Sequence, residues 1–448
     1  MINKWLDIDI PQEVVNVVKL TILDNLGVGL AASKYECSKI MNEFVLENFK
    51  GSESFIWSSG KRVSILGACL ANAIILDSLD MHDSAHNAKG HAGAAIIPCA
   101  LAICDEISLF NLKHMEINDF IKMIVIGYET AYRIGEYIVN NSSEYGSSGS
   151  WNLFGCCAMA CYRFNLSNDE IEHAFGISEY YAPKSEVLGS MENPSMIKDG
   201  SGWGSYVGLY SALLAKKGFT SCKSKFFHIK DLWNDIGFEY HLLKYHVFKK
   251  YPICYWGQAS ISAVLKIRNE VIQNLDQIEK IYIKTFPEAL TLGKEIPKNS
   301  DEVQYNLVYP VIESLIEGNF SINALLIENL TEEKINLIKK TECMLHSDFK
   351  GKKINELQYH ANCSQIVVHL RNNKKIDSEM CYVPWDIFKN QDPPTELEIN
   401  TKFIELCKSV EIDEKKYMKI INIVNNIQEY SINELLTSLE NISITYKL

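Results

Sequence analysis

The chain is short of the features that would place it in a specialised class. Its thirteen cysteines are scattered from Cys37 to Cys407, odd in number and without a Cys-x-x-Cys pair. That pattern argues against a disulfide framework and against a zinc site of the usual spacing. Cys156, Cys157 and Cys161 fall in an apolar helical pattern and read as small buried residues. Positive charge is in deficit, 44 Lys and Arg against 56 Asp and Glu, for a formal net charge of -12. No broad basic face is therefore available to meet a nucleic acid. No uninterrupted apolar run reaches membrane-spanning length, and the opening MINKWLDIDIPQE has no apolar signal core. A reducing cytoplasm or cytosol-like compartment is expected, with no membrane or nucleic-acid partner. Nothing repeats at a fixed period, so a solenoid is not expected.

What is present is an ordinary globular composition, 47% hydrophobic and 22% charged over 448 residues. That length exceeds one hydrophobic core, so two domains are expected. Val14, Val15, Val18, Ile22 and Leu26 recur at helical spacing after Pro11, and helical patterns continue through Cys37 to Phe49, Leu101 to Ile107 and Asp119 to Val139. NNSSEYGSSGSWNLFG (Asn140 to Gly155) reads as a flexible loop leading into a small-residue helix. After about Asn274 the pattern changes. Ile278 to Ile283 and Gln365 to Leu370 read as strands, with helices at Asn306 to Glu317 and Thr331 to Ile338 between them. NQDPPTEL (Asn390 to Leu397) breaks the chain, and Thr401 to Leu439 returns to helix.

Ionisable chemistry is densest in ANAIILDSLDMHDSAHNAKGHAGAAIIP, Ala71 to Pro98, which holds Asp77, Asp80 and Asp83 together with His82, His86 and His91. A helix continued from Ile74 through Ser84 would place Asp77, Asp80 and Ser84 on one face. NAKG would then end it and leave His91 in a loop before a small-residue run. A carboxylate beside a loop imidazole holds a general base in one tautomer. Clustered titratable groups mark sites more often than single ones do. Two further stretches supply cations: Lys198 before DGSGWG, where a helix start offers free amides to an anion, and Lys249 or Lys250 before Tyr-Pro. In an acidic protein an anionic ligand needs such local positive charge.

Several stretches, in order, resemble the MmgE/PrpD family of 2-methylcitrate dehydratases and cis-aconitate decarboxylases. They are LDNLGVGLAAS (Leu23 to Ser33), the Asp-rich segment leading to GHAGAAIIP, FGISEYYA (Phe175 to Ala182), Lys198 with GWGSYVGLYSALLAKKGFT, KKYPICYWGQASISA (Lys249 to Ala263), VQYNLVYPVIESLIEG (Val303 to Gly318) and PPTELEINTKF. The resemblance implies a mainly α fold: a large all-helical domain built from both chain ends, 1–270 and 395–448, and an inserted α+β lid, 271–394. It also implies a homodimer that acts on a small carboxylate without metal or organic cofactor. The chemistry implied is loss of water, loss of carbon dioxide, or epimerisation.

By position, Asp80, His91, Lys198 and Tyr309 match catalytic residues of the family, and Ser84 and Lys249 match substrate-binding ones; His86 is counted with these two. In that reading the lysines clamp carboxylates, His91 moves the proton, and Tyr309 donates one from the lid. The chain departs from the family pattern in having His82 and Asp83 where two aspartates are common. It also has EYGSSGSW where a histidine is usual, and Gln258 where another is. Two rival readings stay open. Asp80, His82, Asp83, His86 and His91 could ligate a metal, with His82 and His86 one helical turn apart. A non-catalytic carboxylate-binding homologue is the other.

Overall fold

The regularly spaced valines and leucines after Pro11 form the helix Gln12–Ala32, with Pro11 at φ -58° just ahead of its first turn. This computed structural model describes residues 2–106, 112–142, 144–350, 362–389 and 391–442. Ile107, Ser143 and Asn390 of the expected segments, and the tail 443–448, lie outside the described residues. The fold is mainly helical with a smaller α+β part, and contacts divide the chain into two units. One comprises Met1–Val187, Ile197–His246 and Thr395–Leu448; the other comprises Leu188–Met196 and Val247–Pro394.

In the first unit Gln12–Ala32 is the central rod. Among the described residues it is the one helix long and apolar enough to cross a membrane, yet 78% of that stretch is buried inside the fold. Its buried polar residues have partners: Thr21 meets His246, Asn25 meets Asp83 and Asp24 meets Lys402. Both chain ends build this unit, because the helix Glu396–Ser409 packs along the rod. Gly27 allows the approach: a β carbon there would stand 2.9 Å from the Phe403 ring. Lys402 Nζ then reaches Asp24 Oδ1 at 2.6 Å and the Met81 carbonyl at 2.9 Å. A second layer is formed by Ile117–Asn141, Gly149–Arg163 and Ser201–Lys216. Their backbones cross closely at small residues. Gly155 faces the Gly127 carbonyl and Gly208 faces the Leu153 carbonyl, each with no room for a side chain.

The serine- and glycine-rich stretch expected to be a flexible loop is tied down in its described residues. Ser147 N donates to the Ser185 carbonyl at 3.0 Å and Val187 N to the Tyr145 carbonyl at 2.9 Å. Side chains as small as serine and glycine allow that close pairing of backbones.

The second unit is built on a five-stranded sheet. Ile278–Thr285 pairs in parallel with Thr341–Leu345 and antiparallel with Cys363–Leu370, which also pairs with Lys375–Asp377 and Cys381–Tyr382. A parallel neighbour demands a crossover. Here it carries Ser300–Gln304, Tyr309–Glu317 and Glu332–Lys339. Lys334, almost fully buried, joins two of these helices through Glu313 and Glu317, each at 2.8 Å. The helix Gln258–Ile272 packs on Cys363–Leu370 and on Tyr309–Glu317, so contacts group it with the sheet and start this part at Val247, where the family resemblance implied residue 271.

Candidate active site

The apolar helix Ile65–Asp77 starts at Ser64, whose side chain accepts the Gly67 amide, and ends at Asp77. It does not continue through Ser84. Asp80 adopts φ +47° and turns the chain aside, a conformation that aspartate tolerates better than most residues. Asp77, Asp80 and Ser84 therefore share no helix face, and His82 and His86 are not a helical ligand pair. The chain instead doubles back, with Ala85 N on the Gly90 carbonyl at 2.8 Å and Ser84 Oγ on the same carbonyl at 3.2 Å.

This fold-back brings a cluster of buried polar groups together at the ends of three helices. Asp77 holds His82 Nε2 at 3.0 Å through Oδ1, and through Oδ2 it accepts the Ser201 amide at 3.3 Å. The helix start that the sequence offered to an external anion thus receives a carboxylate of the protein itself. Gly200, at φ +73°, makes the turn into that helix.

Asp83 plays the same part for the helix Gly93–Asp105. Its Oδ1 accepts the Gly93 amide at 3.1 Å, and its Oδ2 accepts Asn25 Nδ2 and the Tyr128 hydroxyl, both at 2.7 Å. Burial pushes the Asp83 carboxyl up. His246 and the two side-chain donors outweigh it and leave the group below its ordinary range. His246 is itself pushed down by burial. Its two nitrogens lie 3.0 Å from Thr21 Oγ1 and 2.7 Å from the Tyr132 hydroxyl.

His91 is the residue most favourably set for proton transfer. Its Nδ1 lies 2.7 Å from the Asp83 carbonyl, which can only accept, so that nitrogen carries the hydrogen. Its Nε2 then faces Asp80 Oδ1 at 3.8 Å and Asp199 Oδ2 at 3.6 Å. The His91 amide donates to Ser148 Oγ at 2.9 Å, Ser148 Oγ donates to Asp199 Oδ1 at 3.0 Å, and Asn152 Nδ2 donates to the His91 carbonyl at 3.2 Å. In the segment EYGSSGSW, Ser148 thus aligns the imidazole and the carboxylate opposite it.

Ligand-type atoms of Asp80, His82 and His91, and of Asp77, His82 and Asp199, lie within 4.8 Å of one another. Spacing alone would admit a divalent ion. The Nε2 of His82 that such an ion would need is hydrogen-bonded to Asp77, so the cluster is coherent through its own bonds.

The first unit therefore brings Asp80 and His91 together, places the buried Lys198 next to Asp199, and keeps Ser84 and His86 buried in the fold-back. His86 donates its amide to the Tyr245 carbonyl at 3.1 Å. Lys249 and Tyr309 belong to the second unit and are fully buried there. The Tyr309 hydroxyl donates to the Ala324 carbonyl at 2.9 Å, and burial first, then Glu313, raises it above its ordinary range. Gln258 clamps its own loop: its oxygen accepts the Lys250 and Tyr251 amides, and its nitrogen donates to the Tyr251 and Ile253 carbonyls. An imidazole could not make all four of these bonds.

Sequence reading passed over Asp199, Ser148, Asn152, Asn25, Tyr128 and His246. Asp199 had a signal, as the neighbour of Lys198 ahead of a glycine-rich helix start; Asn25, Tyr128 and Asn152 are polar residues within helices, Ser148 precedes one and His246 lies in a short strand, and none of these five carried a local signal.

A buried imidazole with Nδ1 on a main-chain carbonyl and Nε2 facing two carboxylates, one of them adjacent in the chain to a buried lysine, gathers the titratable groups of the first unit at one place. The chain belongs to the MmgE/PrpD family: residues 7–246 match the MmgE/PrpD N-terminal domain and residues 251–428 the MmgE/PrpD C-terminal domain. Membership carries a dehydratase- or lyase-like function at the level of the family. No curated protein matches the chain.

Proposed function

We propose that the protein is a cofactor-independent lyase that acts next to a carboxylate of a small polycarboxylate, by dehydration of a 2-methylcitrate-like substrate or decarboxylation of a cis-aconitate-like one. The observation that carries this reading is the geometry of His91. Its Nδ1 is committed to a main-chain carbonyl at 2.7 Å, and its Nε2 faces two carboxylates that stabilise the imidazolium formed when it takes a proton. Lys198 holds a substrate carboxylate and offsets charge developing on it. In the dehydration, Nε2 takes the proton from the carbon beside the carboxylate, the electron pair forms the double bond, and the hydroxyl leaves as water with a proton from an acid. Tyr309 as that acid, with Lys249, Ser84 and His86 as carboxylate ligands, rests on the family correspondence. The same correspondence supports a cytoplasmic homodimer with a small carboxylate as its ligand.

The test is proton NMR in deuterium oxide with 2-methylcitrate, citrate, cis-aconitate, malate and iminodisuccinate. Loss of water or carbon dioxide, or deuterium entering the carbon beside a carboxylate, is the expected result. His91→Gln should then slow turnover by about 100-fold or more. Turnover untouched by both His91→Gln and Lys198→Ala would sink the reading. Deuterium exchange without elimination would instead favour an epimerase of the same site.

A further inference from the structure

The Met81 carbonyl lies in the turn that follows the helix Ile65–Asp77, one residue after Asp80 at φ +47°. A residue with a side chain keeps that left-handed conformation only where its surroundings impose it. Within the turn, Asp80 N donates to the Asp77 carbonyl at 3.1 Å. Met81 itself is buried, and a buried carbonyl without a donor is costly. Its donor among the described residues is Lys402 Nζ at 2.9 Å, from a helix 321 positions further along the chain. The close approach of that helix at Gly27, beside Phe403, brings the lysine there.

An ammonium group has three hydrogens. One goes to Asp24 Oδ1 at 2.6 Å, and that bond by itself would fasten the helix Glu396–Ser409 to the rod. The bond to Met81 does something else, because it fixes the peptide that joins Met81 to His82. On one side of this peptide stands Asp80, whose Oδ1 is 3.8 Å from His91 Nε2. On the other stands His82, whose Nε2 is 3.0 Å from Asp77 Oδ1. We propose that Lys402 is a positioning residue of the site: through the Met81 carbonyl it holds the turn that aims Asp80 at His91, so the C-terminal helix acts on the site by way of this turn. A charge-assisted bond to a main-chain oxygen is stronger than a neutral one and suits a turn that must stay in a costly conformation. The hold on the turn stands apart from the proposed reaction; only its effect on turnover rests on that reading.

The experiment compares the wild-type chain with Asp24→Asn and with the double replacement Asp24→Leu, Lys402→Met. The double replacement removes the donor to Met81 and leaves no buried charge unpaired; Asp24→Asn weakens the ion pair but keeps Lys402 on Met81. Amide hydrogen exchange is followed by mass spectrometry in peptides covering Ser78 to Ala85, with peptides of Gln12–Ala32 as the reference. In the double variant the Ser78 to Ala85 peptides should exchange about tenfold faster while the reference changes by less than about twofold. On a substrate that the wild type turns over, kcat should fall about tenfold or more and KM should move by less than about threefold, because Lys198 is untouched. Asp24→Asn should lower the urea midpoint yet leave exchange of the turn and kcat near wild type. Wild-type exchange of the turn in the double variant would overturn the proposal. So would equally fast exchange in Asp24→Asn, since the ion pair would then be what holds the turn. Faster exchange with unchanged kcat would reduce Lys402 to a structural role and overturn the positioning role. If the wild type acts on no substrate of the panel, the lyase reading fails and exchange still decides whether Lys402 holds the turn. Should the double variant not fold, Lys402→Met at pH 5, below the Asp24 value of about 6, gives the same comparison.

Discussion

At the scale of the residue, Asp83 ties together much of the buried cluster around His91. Its carboxylate accepts three hydrogen bonds and its carbonyl takes two imidazoles. Asp83→Asn keeps the shape but turns an amide nitrogen toward the Gly93 amide or toward Asn25 Nδ2, both of which donate. Losing charge-assisted bonds in a buried site should cost about 3 kcal/mol, read as a lower urea midpoint at pH 7. The pH dependence has a definite sign. The folded Asp83 carboxyl lies below its unfolded value, so its stabilisation is complete above that value, about pH 4. It is lost as the pH falls through the lower folded value, and the gap between wild type and Asp83→Asn should close there.

Asp24 works in the opposite sense. Burial, only partly offset by Lys402, raises it from 3.8 to about 6. The folded state therefore holds a proton that the unfolded state has released. Its contribution to stability falls as the pH rises from about 4 to 6 and then levels off.

At the scale of the element, that carboxylate pins the C-terminal helix Glu396–Ser409 to the rod Gln12–Ala32. Lys402→Met strands Asp24 in the interior and should cost about 3 to 5 kcal/mol at pH 7. The loss should shrink toward pH 5, where Asp24 takes up a proton. The double replacement Asp24→Leu with Lys402→Met should recover at least half of it, since no buried charge is left without a partner. Denaturant unfolding of the four proteins at both pH values checks this.

The layer of Gly149–Arg163 against Ser201–Lys216 depends on absent side chains. A methyl at Gly208 would meet the Leu153 carbonyl and the Cys156 side chain, and backbone cannot step aside as a side chain can. Gly208→Ala should therefore lose about 3 kcal/mol or fail to accumulate as soluble protein. Gly27→Ala, which meets the Phe403 side chain, should lose less.

At the scale of the whole molecule, the two units differ in how they are stabilised. The first is a helical core with paired polar groups inside it, among them Asp24 with Lys402 and Glu129 with Arg133; the second is a sheet covered by helices, with the Lys334 ion pairs in its crossover. All thirteen cysteines are free, and most are buried. A thiol titration of unreduced protein in denaturant should count thirteen. Under native conditions Cys222, the exposed one, should react first, with half-buried Cys343 and Cys381 slower. A titre below thirteen in protein kept from air would contradict the free-thiol state.

The sequence by itself determined the family, the mainly helical class, the change to strands near Asn274, and the dense segment in which Asp80 and His91 lie together. These are carried by hydrophobic spacing and by local order along the chain, which a linear reading can follow. It misread the segment from Ser78 to Ser84, where helical spacing persists but Asp80 turns at φ +47°. Only the tertiary structure decided that Asp77 and Asp83 close the starts of two helices, that Ser148 and Asp199 align His91, and that His82 lies between a carboxylate and a carbonyl. Each of these rests on residues tens of positions apart meeting inside the core. There an unpaired polar group is costly, and partners are chosen by geometry that no local pattern records.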